Sequence, residues 1–359
     1  MRVLAVVLVS VLTLLMGGQT QAQAAPVTVA KGLANPRGLT FGPGGVLYVA
    51  EAGTGGAGPC LTGAGNQRFC LGATGAVTAV ANGRQRRVVT GLPSLATEGL
   101  GEVFGPHDVA ASGGGLLIPV GLGTDPARRA ALGPAGSALA GLVRADSSGA
   151  WRRVADLGAY ESTADPDGGQ PGTTTDSQPY AVLAWRDGAL VVDAGGNDVL
   201  HARRDGRIGA VAVFDTRQVP GPGGEVTMQP VPTAIAQGPD GAFYVGRLTG
   251  FPFPKGEAKV WRLVPGRAPE VYAGGFSAIA DIAFDARGRL LVLEMFAEGL
   301  TSGDTTGALH RVARDGTRTL VARDGLVTPA SVAVGPDGRY YVSNKATLPA
   351  GGEIVRIDP

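Results

Sequence analysis

His107 and Asp108 are the side chains best suited to acid–base work in this sequence. An imidazole exchanges protons near neutral pH, and an adjoining carboxylate can orient it or act as a base itself. A second set, Glu51, Asn197 and Glu294, offers hard oxygen donors of the kind that bind calcium or another divalent metal. A third set, Asn35, Arg37, Gln178, Tyr180, Arg247 and Asn344, carries the amides, guanidinium groups and phenol that would hold a ligand by hydrogen bonds and charge. Each set has a structural alternative, in which the same groups satisfy turns and join neighbouring segments. The chain has three histidines, and His201 and His310 fall in strand patterns away from His107, so no multi-histidine metal centre is expected. The Gly-x-Ser-x-Gly elbow and the Gly-Lys-Ser/Thr phosphate loop do not occur, which removes serine hydrolase and nucleotide chemistry.

Residues so far apart in sequence can act together only if the fold gathers them, and an internal repeat supplies the means. A short apolar run, a tight Gly/Asp turn and a second run rich in Val, Leu or Tyr recur six times, from Pro36, Pro106, Pro179, Pro232, Ile279 and Pro329. Each copy reads as a hairpin, and a further pair of candidate strands follows it. Four strands per unit make a propeller blade. The sequence therefore predicts an all-β, six-bladed β-propeller of four-stranded blades over 25–359. The last copy has only three strands, so the strand near residue 27 is expected to complete the last blade and close the ring.

In such a blade the first-to-second and third-to-fourth turns share one face, and the second-to-third loops share the other with the crossovers between blades. The first-to-second turns are all short. Insertions fall at 52–75, 121–139, 248–258 and 296–307 and in the crossovers 93–105, 158–178 and 215–231, all on one face. Loops gathered on one side of a rigid scaffold are where binding and catalysis usually sit. The stretch 126–139 is predicted to form a short helix on that face. All three sets above map to the ends of inner and second strands, and so to the mouth of the central channel.

Residues 1–24 read as a signal peptide, with an apolar run at 3–16 and a small-x-small site ending at Ala24. The expectation is a secreted, extracellular, monomeric protein with no membrane span after cleavage. Cys60 and Cys70 are the two cysteines, and an oxidising compartment predicts a disulfide between them. The 31 basic and 30 acidic side chains leave no field to attract nucleic acid. The expected partner is a small molecule or an extracellular protein.

Several motifs carry a resemblance: Asn35-Pro-Arg-Gly38, Gly105-Pro-His-Asp108, Asp176-Ser-Gln-Pro-Tyr180, Asp193-Ala-Gly-Gly-Asn-Asp198 and Leu248-Thr-Gly-Phe-Pro-Phe253. Over nearly the whole mature length the chain resembles the ScyD/ScyE-like secreted proteins, within the wider NHL and SMP-30 propeller group. That resemblance implies an exported six-bladed propeller and no settled reaction. It departs at two positions, with Arg247 where Glu is common and Gln178 where Asn is common. The SMP-30 lactonases implied by the wider group hold a calcium-type ion on Glu, Asn and Asp donors, and Glu51, Asn197 and Glu294 occupy comparable blade positions. Three functions follow as expectations: a binding module acting through the insertion-rich face, a metal-dependent lactonase with His107 or Asp108 as base, or a purely structural interaction protein.

Overall fold

Turn chemistry sets the hairpin that opens each blade. In the blade that starts with Pro232–Gln237, Asp240 Oδ1 accepts the Ala242 N–H at 3.2 Å and the Tyr244 hydroxyl donates to Asp240 Oδ2 at 3.2 Å. Gly241 between them takes φ +78°, a conformation that favours glycine. The same Asp and Gly recur at Asp337, which accepts from the Arg339 N–H and the Tyr341 hydroxyl, with Gly338 at φ +76°.

The structure is a computed structural model that describes residues 25–359 apart from 64, 65, 98, 100, 101, 222 and 349. The expected signal segment 1–24 lies outside the described residues. Six antiparallel blades form the propeller. Their inner strands are Pro36–Phe41, Ala110–Ser112, Pro179–Trp185, Pro232–Gln237, Ile279–Phe284 and Ser331–Val334. The last blade is completed by Val27–Leu33, which pairs antiparallel with Gly352–Ile357 in a register that sets Val27 opposite Arg356 and Leu33 opposite Gly352. Ala30 and Leu33 then pack with Leu39, Val49 and Ile354 between the last blade and the first, where Phe41 meets Tyr341 edge-on at 5.0 Å. Similar apolar seams lie between the other neighbouring blades, as expected of strands that alternate across a sheet.

The insertions depart from plain loops in three places. In the first blade the third and fourth strands run on to 14 residues each, Arg68–Ala81 and Arg84–Thr97, and carry the short strands Cys60–Thr62 and Val103–Phe104. Cys60 and Cys70 sit opposite one another in that hairpin and are joined by a disulfide. The crossover after the second blade folds into an α-helix, Leu157–Ala164, whose first turn is capped by Asp156 Oδ1 accepting the Ala159 N–H at 3.0 Å. The crossover after the third blade folds into a separate hairpin, Arg217–Gly221 with Gly224–Met228. The helix predicted over 126–139 is a 3₁₀ helix at Pro126–Leu132 followed by a single 3₁₀ turn. Among the described residues no helix is long and apolar enough to cross a membrane.

Candidate functional site

One residue at the start of each inner strand reaches the central channel: Arg37, Asp108, Tyr180, Thr233, Asp281 and Ser331, with His107 beside them. The free space between these groups is about 10 Å³, room for no more than one water. Asp108 and Asp281 use their carboxylates as staples between blades. Asp108 accepts its neighbour's N–H at Val109 and the N–H of Val182 in the next blade at 2.8 Å. Asp281 repeats the pattern with Ile282 and with Val332 at 2.9 Å, and takes the Ser331 hydroxyl as well. Burial and the charge of Asp281 hold the Asp108 carboxyl well above the usual carboxylate range. Burial likewise pushes Asp281 up to about 6. Gly38 is required here, because a side chain on it would collide with the Asp108 carboxylate.

His107 lies against Tyr180, ring centroids 5.0 Å apart, and its Nδ1 faces the Gly105 carbonyl at 2.8 Å. Its Nε2 is 2.9 Å from Gln178 Nε2. With Nδ1–H donating to the carbonyl, Nε2 accepts from the amide and the ring is neutral. Burial, then the Arg37 charge, depress its pKa to about 3. The depressed value means the unfolded chain binds more protons between about pH 6.5 and pH 3, so this group costs stability as pH falls through that window. Asp281 and Asp108 act with the opposite sign, since their raised values favour the folded state as pH falls. Comparison with His107→Gln isolates the imidazole from Arg37, Asp108, Tyr180 and Asp281. The stability advantage of the unaltered protein should shrink by about 1.4 kcal/mol per pH unit below about pH 6.5 in urea unfolding. A gap that does not change with pH would show that the ring stays accessible and ordinary.

Each residue of the expected metal set has partners within the protein. Glu51, Asn197 and Glu294 sit in three different blades, and each is engaged by its own surroundings. Glu51 accepts the Ala34 N–H at 2.8 Å and the Thr78 hydroxyl at 2.6 Å, and pairs with Arg87 at 2.9 Å. Glu294 accepts the Ser277 N–H at 2.6 Å and meets His310 Nε2 at 2.8 Å. Asn197 accepts the Val231 N–H at 3.1 Å and donates to Asp167 at 2.7 Å. Asn344 does the same work in the last blade, accepting the Val327 N–H at 2.7 Å. Glu51, Glu294 and Asn344, each ending a second strand, thus cap the crossover that enters their own blade. Asn197 instead lies in the turn after Asp193 and caps the entry to the next blade; the positions in the sequence did not distinguish these roles from metal binding. Asn35 is buried at φ +52° and donates to the Gly53 carbonyl at 2.8 Å, away from the channel. Arg247 is buried 5.6 Å over the Trp261 ring, and burial lowers its pKa to about 10. Of the expected ligand residues, the structure brings together Arg37, Gln178 and Tyr180 with His107 and Asp108, and separates the others.

The insertion-rich face holds two features that strand positions could not reveal. A cavity of about 220 Å³ opens between the disulfide hairpin, the crossover behind it and the loop after Val120, lined by Leu61, Phe69, Leu95, Phe104, Leu122 and Arg128. Phe69 and Phe104 face one another at 5.5 Å, and Arg128 is held by the Thr124 hydroxyl and the Thr62 carbonyl. Across the face, the α-helix crossover and the turn at 194–198 enclose a group of carboxylates. Burial and mutual repulsion push Glu161 to about 8 and Asp176 to about 7, and hold Asp198 well above its ordinary value. The signal for this group was in the sequence: Glu161, Asp165, Asp167 and Asp176 fall in one insertion, with no Lys or Arg between Arg153 and Arg186.

These features define an all-β six-bladed propeller with one elaborated face and a nearly filled axis. Its fold is shared with a structural genomics protein of unknown function from Bacteroides thetaiotaomicron (12% identity, TM-score 0.56, covering 93% of this chain and 72% of that one). It is shared also with the PQQ-bound aldose sugar dehydrogenase of Streptomyces coelicolor (15% identity, TM-score 0.55, 92% and 96%). A candidate gluconolactonase is similar to the same degree (12% identity, TM-score 0.52, 94% and 93%). At these identities the likeness speaks for the fold alone. No protein-family model matches the sequence, and no curated protein matches it.

Proposed function

We propose that this protein is a secreted binding module that holds a small, single-ring ligand with an anionic or polar substituent on its insertion-rich face. The observation that carries this reading is the 220 Å³ cavity, because three separate insertions supply its walls. Leu61 and Phe69 come from the hairpin, Leu95 and Phe104 from the crossover, and Leu122 and Arg128 from the loop after Val120. A cavity of about 150 Å³ lined by apolar side chains accommodates benzene, so this one suits a substituted ring. Arg128 in its lining offers a cation to a carboxylate or a similar group, and Gln67 and Glu102 in the same lining add polar groups. The Cys60–Cys70 disulfide clamps the hairpin wall, which fits export to an oxidising compartment.

The lactonase alternative is the second reading; against it, Glu51 and Glu294 have backbone and side-chain partners of their own. ¹⁹F NMR with 4-fluorobenzoate tests the binding reading. Saturable line broadening is expected with the unaltered protein, weaker broadening with neutral fluorobenzene, and none with Leu61→Trp, which fills the cavity. Broadening that survives Leu61→Trp overturns the placement. Calcium-dependent turnover of a δ-lactone, abolished in Glu51→Gln and Glu294→Gln, would favour catalysis instead.

A further inference from the structure

The α-helix Leu157–Ala164 delivers Glu161 to the interior, and the chain leaving it brings Asp165 and Asp167 to the same spot. One carboxylate oxygen from each of the three lies within 4.8 Å of the others. Asp165 ends the helix at φ +41°, which turns the chain back on itself so that Asp167 returns beside Glu161. A further acid, Asp198, stands outside that group of three at the head of the strand Asp198–Arg203. It is fully buried, and neither of its carboxylate oxygens has a hydrogen-bond partner. Its charge faces Asp193, Glu161 and Asp167.

The neighbouring acids divide into those already satisfied and those not. Asp193 is satisfied: it accepts the Gln178, Gly195 and Gly196 N–H groups and the Ser177 hydroxyl. Asp167 accepts from Asn197 with one oxygen only. The oxygens without a partner are Glu161 Oε1, Asp165 Oδ1, Asp167 Oδ1 and both of Asp198. Among the described residues no salt bridge engages any of these four side chains. Two glycines make the approach possible. A side chain on Gly195 would collide with the Asp176 carboxylate, and a Cβ on Gly196 would sit 3.0 Å from Glu161 Oε2.

Buried carboxylates that face each other without donors or a counter-charge are unfavourable unless a cation joins them. Oxygen-only donors from a helix end and the loop that follows it suit the larger, less directional divalent ions over magnesium, which demands near-octahedral geometry. The geometry points to a calcium site formed by Glu161, Asp165 and Asp167, with the buried carboxylate of Asp198 outside this group of three, off the propeller axis and separate from both the channel and the apolar cavity. The ion would brace the long crossover against the turn that opens the third strand of the third blade, to which Asp167 is joined through Asn197. It is therefore a structural calcium that fixes part of the insertion-rich face.

Native mass spectrometry and calorimetric titration with CaCl₂, on protein first treated with EDTA, test the site. One ion per chain is expected, with a Kd below about 1 mM and weaker binding of Mg²⁺. Melting temperature should rise by several degrees in 5 mM CaCl₂. The double variant Glu161→Gln/Asp167→Asn should lose both effects, and Asp198→Asn should weaken them, yet both should melt no lower than the unaltered protein in EDTA, because the substitutions remove repulsion. Glu51→Gln, which alters no donor of this site, should still bind one ion. Absence of calcium binding at millimolar concentration, or binding that persists unchanged in the double variant, overturns the proposal.

Discussion

A chain that begins at Ala34 is expected to lose its stable monomeric fold. The missing strand, Val27–Leu33, is the fourth strand of the last blade, and without it the hydrogen-bonding edge of Gly352–Ile357 is open. Leu33 is 1% exposed and Ala30 4% exposed, so their contacts with Leu39, Val49 and Ile354 go too. Burial of one leucine side chain alone contributes about 1.5 to 3 kcal/mol. Together with the lost ladder the cost reaches about 5 kcal/mol or more, comparable with the total margin of about 5 to 15 kcal/mol for a folded domain. Size-exclusion chromatography should show oligomers or aggregate, since an uncovered strand edge pairs with other chains. Circular dichroism should show melting lowered by more than about 10 °C. A peptide of residues 25–33 added in trans should recover part of the loss. A truncated protein that stays monomeric and melts within a few degrees of the full chain would mean that the ring is held shut by the apolar seams without its fourth strand.

Replacement of Glu51 by alanine should produce the second large effect. The carboxylate is buried and answers the Ala34 N–H, the Thr78 hydroxyl and the Arg87 guanidinium at once. Arg87 is 48% exposed at its side chain and can return to water, so its loss of a partner costs little. The Ala34 N–H and the Thr78 hydroxyl are left without an acceptor, at about 1 to 3 kcal/mol each. Urea unfolding should report a loss of about 3 kcal/mol for Glu51→Ala and a smaller one for Glu51→Gln, which keeps an acceptor oxygen. Glu294→Ala should behave alike through the Ser277 N–H and His310. Calcium should leave these differences unchanged. A loss seen only when calcium is present would return Glu51 to a metal-binding role.

The two experiments probe the parts of the molecule that the sequence made legible to different degrees. Blade count, the hairpin turns and the closing strand are local or periodic features. Asp240, Gly241 and Tyr244 lie within five residues and build their turn from nearby hydrogen bonds, so the pattern could be read along the chain. The disulfide also lay within reach, since Cys60 and Cys70 are the only pair available. Convergence of Arg37, His107, Asp108 and Tyr180 followed from their shared position in successive repeats.

What each of those side chains does there was not legible. A carboxylate at the end of a second strand has the same place in the repeat whether it caps a crossover, as Glu51 and Glu294 do, or faces a ligand. The choice depends on which N–H groups the next crossover presents, and those belong to segments 17 residues away or more. The carboxylates at Glu161, Asp165 and Asp167 lay in an insertion outside the repeat, where periodicity gives no register. The sequence by itself determined the propeller, its closure and the face that carries the insertions, because short-range turn chemistry and a repeated apolar period specify them. Only the tertiary structure decided that the axis is nearly filled and that the open cavity and the unpaired carboxylates lie off it, because burial and the pairing of polar groups are settled by contacts between distant loops.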